Sequence, residues 1–303
     1  MFIGHKKQIN FLKDSLRAGK ISQAYLFSGP ESVGKFSLAK IFSVALTVNN
    51  PSFLDDLKIE DENKNQDVEI LSPEIIEKKG IIKAKDIDVE KVRIAQKNLA
   101  LFPAMGKYRV LIINDAHRLT VASQNSLLKT LEEPNSSAII ILVTHEDGKI
   151  LKTIKSRCQK INFNLASLEE IKGGLAKQIA EETLEKVTIF SMGKPGEAKK
   201  IIENVNSLKE REKIIKELAR LKMMPVFEKM DLAQEYSKNL MQAREKLEFW
   251  IWMLRVQTFR NLNDKKNVQK NYRAINKISD TLLKIKNPSF NNRLILENLF
   301  LDL

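Results

Sequence analysis

The 303-residue sequence contains a single cysteine and only three histidines. One cysteine, Cys158, excludes a disulfide framework and a zinc site built from cysteines. No run of about 18 consecutive apolar residues occurs, which excludes a membrane-spanning helix of ordinary length. The first seven residues lack the continuous apolar segment of a secretory signal peptide. We therefore expect a cytoplasmic protein with no membrane association and no zinc.

The charge balance is basic, with a net charge of +13. Residues 1–165 carry 25 basic and 19 acidic side chains, and residues 206–303 carry 20 and 12, without any run of five basic residues. This dispersed excess has two open interpretations, contact with a DNA backbone or solvation of helix surfaces. Arg93 and Lys97, on a predicted amphipathic helix, have the same two interpretations.

Strand and helix patterns divide the chain into three parts. Apolar, β-branched runs alternate with helical periodicity through residue 165, which is typical of parallel strands covered by helices on both faces. The strands are predicted at 24–28, 68–71, 109–113 and 138–143. Beyond this point only helical patterns occur. They predict an α/β core over 1–165, a helical unit over 166–205 that opens on a capping box at Ser167, and a helical domain over 206–303.

Residues 29–37 (GPESVGKFS) have the spacing of a phosphate-binding loop. In such a loop, backbone N–H groups and a lysine hold phosphates, and a hydroxyl after the lysine ligates Mg²⁺. The candidate nucleotide-binding residues are Gly29, Gly34, Lys35, Phe36 and Ser37. Because Phe36 replaces the hydroxyl, the anion cradle is retained and the metal ligand is not. Lys35 either binds a phosphate or only caps its own loop, so ATP binding stays open.

A second motif, LIINDAH at 111–117, resembles a Walker B element. Asn114 occupies the position of the Mg²⁺-binding aspartate, and a neutral amide supports the water shell of the ion less well than a carboxylate. Asp115 occupies the position of the catalytic base. Since Phe36 and Asn114 should serve the same ion, we expect no hydrolysis of Mg²⁺–ATP and no bound metal. His117 is interpreted as a helix-start residue with no metal-ligating neighbours.

Further motifs connect the chain to a known family. They are QAYLFSGP at 23–30, GKYRV at 106–110, LLKTLEEP at 127–134, SRC at 156–158 and GKPGEA at 193–198. With them the whole chain resembles the bacterial clamp-loader branch of the AAA+ ATPases, and within it the delta-prime subunits of DNA polymerase III. This resemblance implies an AAA+ P-loop core with a parallel sheet, a small helical lid over 166–205 and an all-helical collar over 206–303.

The resemblance also assigns roles to single residues. Arg157 of the SRC motif corresponds to an arginine finger that acts in trans, although an ordinary surface arginine is the alternative. Thr144 falls at the sensor-1 position or is a strand-end hydrogen bonder, and Glu197 stands where active lids carry an arginine. Cys158 is interpreted as a small buried apolar group.

The implied function is that of a non-hydrolysing stator in a pentameric clamp loader. Its implied partners are the ATPase subunits, the clamp-opening subunit and, through the assembled complex, primed DNA, and no cofactor is required. The collar, including Trp250 and Trp252, is expected to support packing against sister subunits. The family's four zinc-binding cysteines are absent, and an acidic segment at 50–66 stands in their place.

Two other functions remain open from the sequence. One is a catalytically active AAA+ ATPase, such as the motor subunit of the loader. The other is a stand-alone DNA-binding module, which predicts salt-sensitive binding of duplex DNA by the monomer.

Overall fold

The computed structural model describes residues 2–57, 65–78, 81–221, 223–285, 287 and 290–303. The chain divides into two compact units. The first unit consists of residues 1–184 and 193–198, and the second of residues 185–192 and 199–303. The division into three domains at residues 165 and 205 stays a prediction. Of the acidic segment at 50–66, residues 58–64 lie outside the described residues.

A five-stranded parallel sheet forms the centre of the first unit. Its strands are β1 (Ala24–Ser28), β2 (Val68–Leu71), β5 (Arg109–Ile113), β6 (Ala138–Thr144) and β7 (Gln159–Asn162), in the order β2–β5–β6–β1–β7. Strands β3 (Ile75–Lys78) and β4 (Ile81–Ala84) form a separate antiparallel hairpin. The sequence pattern predicts the first four sheet strands and misses β7 and the hairpin. Strand β7 lies at the sheet edge and buries only Ile161, so it has no apolar run to reveal it.

Helices make up most of the remaining described structure. The first seven are α1 (Lys6–Arg17), α2 (Lys35–Val48), α3 (Phe53–Asp56), α4 (Val89–Leu99), α5 (Val121–Glu132), α6 (Lys152–Lys155) and α7 (Leu168–Leu175). Next along the chain are α8 (Glu181–Phe190) and α9 (Pro195–Glu203). The second unit continues with α10 (Val205–Leu221), α11 (Val226–Lys238), α12 (Leu240–Arg260), α13 (Lys265–Ile285) and α14 (Asn292–Asp302). The capping box predicted at Ser167 is present.

Both faces of the sheet are buried, which explains the continuous apolar runs of its strands. Successive side chains of a strand point to opposite faces. Tyr25 and Phe27 pack on one face in a cluster with Phe42 of α2. Leu26 packs on the other face in a cluster with Leu127 of α5. The packing of helices on both faces holds the ends of β1, β5 and β6 in place, and the candidate site residues lie at these ends.

Trp250 lies at the centre of the second unit and is fully buried. It packs in one cluster with Tyr236 and Phe300, and its indole N–H donates to the carbonyl oxygen of Ile214 at 3.1 Å. The expectation that Trp250 contacts sister subunits is therefore wrong, because a buried indole with a satisfied N–H belongs to the core. Trp252 is partly buried.

The helix boundaries of the second unit differ from the prediction at one point. An Asn-rich break is predicted near 261–271, but α13 already begins at Lys265. Asp264 caps this start, because its carboxylate accepts the backbone N–H of Asn267 at 3.1 Å. Local capping therefore overrides the low helix propensity of asparagine.

The fold class predicted from the sequence is confirmed. The chain has a P-loop α/β core with a parallel sheet, followed by a helical C-terminal region. Among the described residues, no helix combines the length and apolar character that crossing a bilayer requires.

Candidate functional site

The candidate phosphate loop joins β1 to α2 at the carboxyl edge of the sheet. Gly29 has a φ of 150°, and a Cβ atom there would lie 2.1 Å from the carbonyl oxygen of Phe163, so no side chain fits. Gly34 precedes the first turn of α2 with a φ of 103°. Because the first N–H groups of a helix lack intrahelical partners, this backbone has the form of an anion cradle.

Lys35 is turned onto its own loop. Its ammonium group donates to the carbonyl oxygens of Gly29, at 2.8 Å, and Pro30. Burial lowers the pKa of Lys35 to about 8, and the negative charge of Asp115 partly offsets this effect. These contacts correspond to the loop-capping role that the sequence leaves open beside phosphate binding.

Phe36 has a packing role in this structure. Its ring lies partly buried against the apolar cluster that contains Phe27 and Phe42. The Lys40 ammonium lies 4.7 Å from the centroid of the ring, within the range of a cation–π contact. An aromatic ring offers Mg²⁺ no oxygen ligand. Ser37, the next residue, is partly buried.

Glu197, at the start of α9, lies beside the same loop. The Gly196 N–H donates to the carbonyl oxygen of Ser32 at 2.8 Å, and the Ser32 hydroxyl donates to the Glu197 carboxylate at 3.3 Å. A carboxylate at this point repels phosphate oxygens, whereas the arginine of an active lid attracts them. The structure thus brings together Glu197 and the loop, which are distant in sequence.

Asn114 and Asp115 follow the buried strand β5. The Asn114 N–H donates to the carbonyl oxygen of Leu71 at 2.9 Å, which extends the pairing of β5 with β2. Asp115 has a left-handed φ of 48° and precedes a short 3₁₀ helix, Ala116–Arg118. The neighbouring His145 imidazole holds the pKa of the Asp115 carboxyl below its usual range despite burial.

Asp115 lies in a cluster with two histidines. The ligand-capable atoms of Asp115, His117 and His145 all lie within 4.8 Å of one another. The expectation that His117 has no metal-ligating neighbours is therefore wrong. Burial lowers the pKa of His117, and the nearby His145 adds to this effect. Thr144 is fully buried, and its hydroxyl accepts the Glu146 N–H at 3.1 Å and lies 3.4 Å from His117 Nδ1.

Three residues at this end of the sheet differ from those of an Mg²⁺–ATP site. Phe36 supplies no hydroxyl, and Asn114 supplies no carboxylate to hold the ion. Glu197 adds a negative charge next to the loop where a cation is needed. The backbone cradle and Lys35 are retained.

Arg157 lies at the surface between α6 and β7, with 35% of its side chain exposed. Its Nη2 donates to the Glu132 carboxylate at 2.6 Å, and its Nη1 donates to the carbonyl oxygen of Thr153 at 2.9 Å. Glu132 is the last residue of α5. This contact joins two motifs that the sequence presents separately, LLKTLEEP and SRC.

Arg157 and the phosphate loop lie at opposite ends of the parallel strands. Strands β1 and β7 are parallel, with Tyr25 opposite Gln159 and Ser28 opposite Asn162. The loop follows Ser28 at the carboxyl end, and Arg157 precedes Gln159 at the amino end. These ends are separated by the length of β7, roughly 10 Å at the usual rise per residue.

Cys158, beside Arg157, is partly buried against the apolar cluster that contains Leu127. Burial raises the pKa of its thiol to about 12. The thiol therefore stays protonated near neutral pH, which is the state of a packing residue and not of a nucleophile.

A protein-family model described as DNA polymerase III, delta subunit, matches residues 4–167, more than half of the chain. The chain belongs to this family of clamp-loader subunits. The matched region includes the altered phosphate loop, Asn114 and Arg157.

Curated relatives include other subunits of DNA polymerase III. Subunit tau of Bacillus subtilis is 34% identical over 186 residues, which are 60% of this chain and 32% of tau. Subunit gamma of Buchnera aphidicola is 31% identical over 216 residues, which are 68% of this chain and 58% of gamma. The chain therefore spans about a third of the first relative and somewhat more than half of the second.

Among solved structures, a gamma subunit-related protein of DNA polymerase III from Thermotoga maritima is similar over 97% of this chain and 98% of its own. The sequence identity is 19% and the TM-score is 0.47. At this sequence identity and TM-score, the similarity supports no statement about function.

Sequence reasoning missed His145 and Glu132. His145 directly follows β6, and Asp115 directly follows the adjacent β5. Because adjacent parallel strands bring their carboxyl ends together, this shared strand-end position is a usable signal for the cluster. For Glu132 the sequence gives no comparable signal, since the turn between α6 and β7 determines which acidic residue Arg157 reaches.

Proposed function

We propose that this chain is a non-hydrolysing, delta-prime-type subunit of a DNA polymerase III clamp loader. In this role it donates Arg157 in trans to the ATP site of a neighbouring ATPase subunit. The proposal rests on an altered nucleotide site at the carboxyl end of the strands and a surface arginine at the amino end. Such a subunit needs no working site of its own.

The chemistry of the arginine supports the role. A guanidinium supplied in trans stabilises the charge that develops on the transferring phosphoryl group. Its planar fork carries five N–H donors, which suit phosphate oxygens better than the point charge of a lysine. Glu132 and Thr153 accept hydrogen bonds from the two terminal nitrogens. They hold the side chain at the surface, so less conformational entropy is lost when it engages a phosphate.

The proposal extends to architecture and partners. Residues 166–205 act as the lid, and residues 206–303 form the collar that holds the subunit in a five-membered ring. The partners are ATPase subunits of the gamma and tau kind, the clamp-opening subunit and, through the complex, primed DNA. The subunit works in the cytoplasm and requires no nucleotide of its own.

The alternative is an active ATPase. The intact glycine spacing and the retained Lys35 favour it, because both belong to a working phosphate loop. The contacts of Phe36 and Glu197 favour the non-hydrolysing role.

The isolated chain tests these alternatives directly. We expect its rate of phosphate release from Mg²⁺–ATP to equal the background rate, because the site cannot hold the ion. We further expect Lys35→Ala to leave that rate unchanged. Lys20→Ala, which alters an exposed lysine outside the loop, is the matched control. Turnover that Lys35→Ala abolishes and Lys20→Ala preserves would establish the active ATPase and overturn the proposal.

A further inference from the structure

We infer that Asp115, His117 and His145 form a binding site for one divalent transition-metal ion of the Zn²⁺ type. Their ligand-capable atoms already lie within 4.8 Å of one another. Two imidazoles and a carboxylate are a ligand set that Zn²⁺ and its neighbours prefer, whereas Mg²⁺ prefers oxygen ligands alone. The site differs from a cysteine-built zinc module, and it is independent of the function proposed for Arg157.

The distances within the cluster suit a tetrahedral ion. Ligand atoms at about 2.0 Å from Zn²⁺ lie about 3.3 Å from one another in tetrahedral geometry. Asp115 Oδ1 and His145 Nδ1 are 3.6 Å apart. The rings of His117 and His145 meet edge to face with centroids 4.1 Å apart. The Asp115–His145 pair is therefore already close to the tetrahedral spacing, and the third ligand atom lies within 4.8 Å of both.

Contacts outside the cluster orient both imidazoles. The Thr144 hydroxyl lies 3.4 Å from His117 Nδ1, which leaves His117 Nε2 for the ion. The Glu146 carboxylate lies 3.9 Å from His145 Nε2, while His145 Nδ1 faces Asp115. Metal-ligating histidines in proteins are oriented in this way by a partner on the second ring nitrogen.

The position of the cluster makes it accessible and electrostatically suitable. The side chains of Asp115 and His145 are 37% and 27% exposed, so an ion can enter from solution. The Asp115 carboxylate supplies one negative charge to a divalent cation, whereas the Glu146 carboxylate is also paired with Lys149 at 3.0 Å. Three protein ligands leave a fourth position for water or an anion. Without an ion, the same contacts amount to an Asp115–His145 pair, and the experiment separates these two cases.

The test is titration of the untagged, metal-stripped full chain with Zn²⁺, and with Co²⁺ as a spectroscopic probe. We expect one equivalent to bind and Co²⁺ to give the absorption of a tetrahedral site. We expect His117→Gln and His145→Gln each to weaken binding by at least about 100-fold, and Thr144→Val by about tenfold. His5→Gln, which removes the third histidine, and Cys158→Ser are the matched controls and should retain the affinity.

Circular dichroism checks the fold of each variant, and the partly exposed His145 makes His145→Gln the variant least prone to misfold. Zn²⁺ should also raise the melting temperature of the wild-type chain but not that of His145→Gln. Absence of stoichiometric binding at micromolar Zn²⁺ would overturn the site. Zn²⁺ binding that survives both His117→Gln and His145→Gln would overturn the site as well. Loss of Zn²⁺ binding in the presence of an equal concentration of Mg²⁺ would also overturn it.

Discussion

Arg157→Ala is expected to lower ATP turnover by about 10³-fold at the clamp-loader site that this subunit faces. The reason is that alanine removes the guanidinium that stabilises charge in the transition state, while the neighbour keeps its own loop and metal. Because the loss concerns the transition state, the rate constant falls and the nucleotide affinity of the neighbour changes little.

The measurement is phosphate release by a reconstituted complex in which only the neighbouring subunit keeps a working ATP site. Size-exclusion chromatography checks that the variant still assembles, so that a loss of rate is not a loss of complex. Arg157→Lys should recover only part of the rate, since lysine lacks the planar fork. Arg17→Ala, on the exposed end of α1, is the matched control. An undiminished rate with Arg157→Ala refutes the finger role.

Asp67→Ala is expected to lower the free energy of unfolding of the first unit by about 3–5 kcal/mol. The Asp67 carboxylate is fully buried and accepts the N–H groups of Ala104, Met105 and Gly106 at 2.6, 2.9 and 3.0 Å. These hydrogen bonds hold the pKa of Asp67 below its usual range although burial opposes ionisation. Alanine leaves these three N–H donors without the Asp67 acceptor.

Urea unfolding of the full chain, followed by far-UV circular dichroism, measures this effect. Asp67→Asn keeps the shape of the side chain but loses the negative charge, so we expect an intermediate loss of about 1–3 kcal/mol. Asp14→Ala, at an exposed position of α1, is the control and should lie within about 0.5 kcal/mol of the wild type. A value for Asp67→Ala equal to that of the control contradicts the role of the carboxylate.

The sequence predicts the sheet well because its strands are buried on both faces. Strand β5, for example, has four consecutive buried residues, Val110 to Ile113, and such a run has few alternatives. Strand β7 is different, since its register with β1 and not its composition makes Gln159–Asn162 a strand. Trp250 shows the same limit, because the sequence cannot tell a core indole from an exposed one.

The residues of the candidate site that belong to sequence motifs could be predicted from the sequence. Spacing alone identifies the altered loop, and the structure adds that Phe36 packs against the core cluster and that Glu197 contacts Ser32. The contribution of His145 follows from its place at the end of β6, and the structure adds that β6 pairs with β5, which ends shortly before Asp115. The partner of Arg157, Glu132, likewise depended on how α5 and α6 meet.

The central claim is that this subunit contributes to catalysis in its neighbour's ATP site and not in its own. ATP turnover by the complete loader, assembled with Lys35→Ala in this subunit and measured beside Arg157→Ala, tests it most directly. We expect a rate close to that of the wild type for Lys35→Ala and a large loss for Arg157→Ala. A large loss with Lys35→Ala together with an unchanged rate for Arg157→Ala would contradict it.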